Sequence, residues 1–114
     1  MTPATQRPWA VTPEKLSEAR RRLIESARPQ KIILFGSPAR NDAEEDSDVD
    51  FLVVKAEVEH PATEAVRLRR VLKDLLLPVD LLVVSQRKFD YWRSTPGTVY
   101  FEADQGGRVI YEAP

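Results

Sequence analysis

Lys31-Ile32-Ile33-Leu34-Phe35-Gly36-Ser37, ten further residues, and then Asp48-Val49-Asp50-Phe51-Leu52-Val53-Val54 is the stretch that decides how this chain folds. The apolar run from Lys31 to Phe35, stopped by Gly36, predicts a first strand, and Phe51 to Val54 belongs to a second. A third apolar run, Val79 to Val84, carries Asp80 near its start. Asp48 and Asp50 are two residues apart, so on a strand they project from one face, about 6–7 Å apart along it. Leu52 and Val54 share that face, which predicts a buried surface with acids only at its opening end.

Outward from this stretch, helices alternate with the strands. Thr12-Pro13-Glu14 is a helix start, with Thr as cap, Pro at the first helical position and an acid in the first turn. Leu16, Ala19, Leu23 and Ala27 then recur at helical spacing until Arg28-Pro29. A helix over Ala62 to Leu77 is predicted, with Ala65, Leu68, Val71, Leu72, Leu75 and Leu76 as its apolar stripe and Arg67, Arg69, Arg70, Lys73 and Asp74 turned away. Gln86 to Arg93 reads as a short helix. Thr95-Pro96 reads as the cap of another, which Gly106-Gly107 ends, and Arg108 to Tyr111 as an edge strand. The pattern predicts one α/β (α+β) domain over residues 1–114, a small mixed β-sheet flanked by helices, with residues 1–11 as a mobile or docking arm.

The mixed sheet follows from requiring one site. A helical crossover makes its flanking strands parallel neighbours, which brings the starts of strands two and three together. The Gly36-Ser37 turn ends strand one and reaches that same edge only if strand one runs antiparallel to strand two.

Six acids fall between Asp42 and Asp50 with no base among them. Two carboxylates about 6 Å apart repel by roughly 3 kcal/mol at an effective dielectric of 20, so converging acids call for a bound cation or a proton. Oxygen-only ligands suit Mg²⁺, and two such ions activate an attacking oxygen and stabilise a leaving one. Gly36 lets the backbone turn and a phosphate approach. Ser37, an N-cap followed by Pro38, offers a hydroxyl and helix amides to that phosphate, and Arg40 is the nearest cation.

The bulk composition bounds the alternatives. The chain has 114 residues, 42% hydrophobic and 31% charged, no cysteine and a net charge of −1. These values predict a folded domain without disulfides or thiolate zinc sites and argue against a general nucleic-acid coat. No stretch is apolar enough for a membrane span and the N-terminus lacks a signal-peptide core, so no membrane partner and a cytoplasmic location are expected.

Taken together, Phe35-Gly36-Ser37-Pro38-Ala39-Arg40, Ser47-Asp48-Val49-Asp50-Phe51-Leu52-Val53 and Val79-Asp80-Leu81 resemble the minimal nucleotidyltransferases of the polymerase-β superfamily. The motifs cover about Lys31 to Val84. Such domains are similar to the antitoxins of HEPN ribonuclease toxins. The resemblance implies a polymerase-β-like fold and a protein adenylyltransferase that moves AMP from ATP to a tyrosine of its HEPN partner. It further implies that Gly36 and Ser37 hold the β- and γ-phosphates, with Arg40 nearby. Asp48, Asp50 and Asp80 would be the catalytic acids: Asp48 and Asp50 would ligate two Mg²⁺ ions, and Asp80 would complete the catalytic metal site and help deprotonate the acceptor. Asn41 stands where relatives often carry glycine, a mild departure because Asn tolerates the left-handed conformation.

Plainer readings stand beside these. Gly36-Ser37 alone is a capped strand-to-helix turn, and Asp48 with Asp50 alone is a solvated acidic loop. Asp46, Asp48, Asp50 and Glu57 have EF-hand spacing, but Phe51 occupies the position of its essential glycine. His60 reads as a surface residue, Arg20-Arg21-Arg22 and Arg67, Arg69 and Arg70 as solvated helix faces, and Tyr91, Trp92, Tyr100 and Phe101 as core or interface aromatics. A binding-only antitoxin and a small-molecule nucleotidyltransferase are the competing functions.

Overall fold

The computed structural model describes residues 10–36 and 49–114. Helix α1 (Pro13–Ala27) leads into β1 (Lys31–Phe35), and β2 (Val49–Lys55) follows. Then come α2 (Pro61–Val71), a 3₁₀ turn (Lys73–Leu75), β3 (Val79–Ser85), α3 (Gln86–Trp92), α4 (Val99–Gly106) and β4 (Arg108–Glu112). The four strands form one sheet in the order β3-β2-β1-β4. β2 pairs parallel with β3 and antiparallel with β1, and β4 runs antiparallel to β1 at the edge. The mixed sheet deduced from the motif spacing is therefore the sheet that forms.

Both faces of the sheet are covered, which is why its inner strands read as unbroken apolar runs rather than as alternation. On one face Ile32, Leu34, Val49, Phe51, Val53, Leu81 and Val83 pack against Ala19, Leu23 and Ala27 of α1 and Ala65 and Leu68 of α2. On the other, Ile33, Leu52, Val54 and Val84 meet Phe89 of α3 and Ala103 of α4. Gly107 makes the turn from α4 into β4 possible, since a side chain there would strike Ile33 and the Ala103 carbonyl.

Local chemistry accounts for the helix ends. The Thr12 side chain accepts a 3.1 Å hydrogen bond from the Lys15 amide, and Arg28 adopts the left-handed conformation (φ 49°) that closes α1 before Pro29. Ala10 is buried and Val11 packs on the core, so the last two residues of the predicted arm belong to the folded body.

Two boundaries differ from expectation. The helix predicted over Ala62 to Leu77 stops at Val71. Pro78 disfavours helical backbone at Leu77, and the chain instead passes through the 3₁₀ turn with Leu76 left-handed (φ 52°). That turn exposes Leu76 and swings Leu77 into the core. The carbonyls freed there are bonded from α1: Arg22 Nη1 donates to Val71 O (3.0 Å) and Lys15 Nζ to Leu76 O (3.1 Å). The second difference is at α4, which is capped by Thr98, not by Thr95-Pro96. The Thr98 hydroxyl accepts from the Phe101 amide at 3.1 Å, three residues after Thr95.

Several of the charged runs are structural ties. Arg20 Nε donates to Ile110 O of β4 (2.7 Å), and Arg22 pairs with Glu18 (2.8 Å) and Asp74 (2.5 Å). Arg67 donates to Ser26 O of α1 (2.8 Å) and pairs with Glu64 (2.7 Å), which also holds Lys55 at the end of β2 (2.8 Å). Glu64 thus joins α2 to α1 and β2, and its side chain is only 15% exposed. The hydrogen bond from Arg67, followed by that from Lys55, depresses its pKa from 4.5 to about 2. A depressed carboxylate stabilises the fold fully above its unfolded pKa and loses that contribution as pH falls through the folded value. The urea midpoint is expected to fall between about pH 4.5 and 2, and that slope should be shallower in Glu64→Gln. Identical slopes would show that the cluster carries no pH-dependent stability.

Candidate functional site

The register on either side of β2 assembles the site. Phe35 of β1 is the Cα partner of Asp50, and Asp50 is the partner of Asp80. Phe35, Asp50 and Asp80 therefore form a row across three adjacent strands at one end of the sheet. Partners in register lie on the same face, with adjacent strands about 4.8 Å apart. That face is the one shared with Ile33, Leu52 and Val54, so the acids stand at the opening end of a buried surface as the spacing predicted.

The two carboxylates differ in surroundings. Asp50 is half-buried and Asp80 is exposed. Gly36, directly after β1, has φ 83°, and a Cβ there would overlap Asp50 Oδ2. The backbone turn thus passes against the Asp50 carboxylate, in a conformation and a space that only glycine satisfies. Of the proposed phosphate-binding turn, Gly36 is placed beside Asp50. Ser37, Arg40 and Asp48 lie outside the described residues.

The site is open on one side. α3 and α4 bury Ile33, Leu52, Val54 and Val84, but Leu82, the next residue after Asp80 on the same face of β3, is 39% exposed. β3 is an edge strand, so Asp80 is approachable along the sheet rim. Among the described residues no group of three or more His, Cys, Asp or Glu converges; Asp50 and Asp80 make a pair. Their donors are all carboxylate oxygens, held in register and turned the same way, which fits a hard divalent cation better than a softer metal.

Other residues singled out from the sequence fall elsewhere. His60 is exposed at the start of α2 and its side chain makes no capping bond. Tyr91 is 72% exposed, so it is not a core aromatic; it meets Trp92 edge to face with centroids 4.9 Å apart. Phe35 was legible only as a strand residue. Its place beside Asp50 comes from strand pairing, which no local pattern encodes.

No helix among the described residues is long and apolar enough to cross a membrane. No curated protein matches the sequence. A solved structure from Sulfolobus solfataricus, described provisionally as a nucleotidyltransferase, superposes with a TM-score of 0.56 at 17% identity, over 87% of this chain and 78% of that one. At that identity the likeness concerns the fold. The sequence itself matches the family described as nucleotidyltransferase domain over residues 14–105, which includes Gly36, the acids and every element from α1 through most of α4. An acid row on a mixed sheet beside a glycine turn is thus seated in a chain that belongs to the nucleotidyltransferase domain family.

Proposed function

We propose that this nucleotidyltransferase moves AMP from ATP to a tyrosine hydroxyl of a partner protein, a HEPN-family toxin, and so acts as its antitoxin. The observation that carries this reading is the in-register pair Asp50 and Asp80 on one sheet face, with the Gly36 turn against the Asp50 carboxylate. The open rim at Asp80 supports an acceptor that arrives on another molecule.

In this reading Asp50 and Asp80, with Asp48, hold Mg²⁺. Held there, Mg²⁺ would supply charge neutralisation to the triphosphate and polarisation to the attacking and leaving oxygens. Gly36 and Ser37 receive the β- and γ-phosphates, the glycine giving room for the backbone to come close and the serine a donor hydroxyl. Arg40 adds positive charge to the same turn. Asp80, exposed at the rim, accepts the proton of the incoming tyrosine. The tyrosine oxygen forms the new bond to the α-phosphorus, the bond from that phosphorus to the β-phosphate bridge breaks, and pyrophosphate leaves.

Asp80→Asn keeps the shape of the strand and removes the proton acceptor. Transfer of labelled AMP to the co-expressed partner should fall by about three orders of magnitude or more, with the thermal midpoint within a few degrees of the parent. Wild-type-like labelling in this variant would refute the assignment. If neither protein labels the partner while both inhibit it, masking by binding replaces transfer as the mechanism.

Gly36→Ala tests the turn. A left-handed backbone with a Cβ costs about 1–2 kcal/mol before the overlap with Asp50 is counted, so the unfolding midpoint should drop. The stabilisation that ATP and Mg²⁺ confer in a thermal-shift assay should disappear with it. A variant that keeps that nucleotide shift would show that the turn does not grip the phosphates.

A further inference from the structure

The cations of α2 divide into two sets. Arg67 is engaged with Glu64 and Ser26, whereas the side chains of Arg69, Arg70 and Lys73 meet no acid among the described residues. These three rim an open groove of about 370 Å³ whose apolar wall includes Val66, Leu77 and Val79. Val66 is 41% exposed, although it sits in the middle of a helix whose neighbours Ala65 and Leu68 are buried. An apolar centre ringed by unpaired cations is the anatomy of a protein-binding patch, in which the centre contributes burial and the charged rim selects the partner.

The groove also touches the strand that carries Asp80. Its lining includes Val79, the first residue of edge strand β3 and the neighbour of Asp80. Val79 and Asp80 point to opposite faces, so a chain lying in the groove reaches the catalytic face by rounding one strand edge.

We infer that this groove docks an acidic amphipathic segment of the protein acceptor, with apolar side chains against Val66, Leu77 and Val79 and carboxylates against Arg69, Arg70 and Lys73. The inference deepens, and rests on, the protein-acceptor reading above. A nucleic acid is the less favoured occupant. The chain carries 18 acids against 17 Lys and Arg, and a polyanion gains nothing from the apolar wall.

The probe is a short synthetic helical peptide with leucines on one face and flanking glutamates, titrated into isotopically labelled full-length protein. A peptide of the same composition in scrambled order and an oligouridine RNA serve as comparisons. Amide shifts should appear at Val66, Arg69, Arg70, Lys73 and Val79 with the ordered peptide. Charge reversal of the three cations (R69E, R70E and K73E together) should weaken binding by about ten-fold or more, because attraction becomes repulsion at the rim. Val66→Ser should weaken it without changing net charge, and both variants alter exposed side chains. Equal affinity in the charge-reversed protein, shifts confined to other surfaces, or tighter binding of the RNA at this groove would each overturn the inference. Binding and chemistry are read separately: peptide bound in the groove without AMP transfer to the partner faults only the proposed reaction. AMP transfer with no peptide bound faults only the docking groove.

Discussion

β2 lies between a parallel and an antiparallel neighbour, and the hydrogen-bond register on its two sides aligns the candidate site residues Phe35, Asp50 and Asp80. Slipping either pairing by one residue would send Asp50 or Asp80 to the opposite face, because strand side chains alternate with a period of two. What prevents the slip is burial. Phe51 and Val53 on one face and Leu52 and Val54 on the other are all fully enclosed, so a slip would trade two cores at once. The Val49 amide donates to the Pro78 carbonyl at 2.8 Å, which carries the parallel pairing to the very start of β3. The charge repulsion between two neighbouring carboxylates, a few kcal/mol at most, is small against that apolar enclosure.

The helices divide the two faces into a closed side and a partly open one. α1 and α2 close the first, and the arginines that looked like a solvated basic face are bound into that closure. Arg20 reaches β4, Arg22 the end of α2, and Arg67 the end of α1. Exposed ion pairs of this kind contribute little energy individually, but here their backbone partners are carbonyls that a helix end or strand edge leaves without a mate. α3 and α4 cover the second face more sparingly. They protect Ile33, Leu52, Val54 and Val84 and stop short of Leu82 and Asp80. The result is a pair of acids held by a core, with Asp50 half-buried and Asp80 within reach of solvent.

Much of the fold was legible because its signals are local. Gly36 ends β1 where only a positive φ fits, Thr12-Pro13 starts α1, and the apolar runs around Ile33 and Val53 are the two strands that are buried on both faces. The misread positions are helix ends, where neighbouring signals compete and, at α2, distant partners help choose. Leu75 and Leu76 continue a helical stripe in the sequence, yet Pro78 and the hydrogen bonds from Lys15 and Arg22 favour a tighter turn that puts Leu77, not Leu76, into the core. Thr95-Pro96 has the composition of a helix start, but Thr98 is the residue whose hydroxyl meets a free amide.

The amino-acid order by itself determined that two strands open on acids and a third ends in a glycine turn, since those are properties of short segments and their periodicity. It also determined that β2 and β3 run parallel, because a helical crossover between neighbouring strands makes them run the same way. Only the tertiary structure decided that Phe35, Asp50 and Asp80 share one row, that Gly36 lies against the Asp50 carboxylate, and that Arg69, Arg70 and Lys73 meet no acid among the described residues while Arg67 does. These are matters of which residues meet across long separations in the chain, and such meetings are selected by the packing of whole faces.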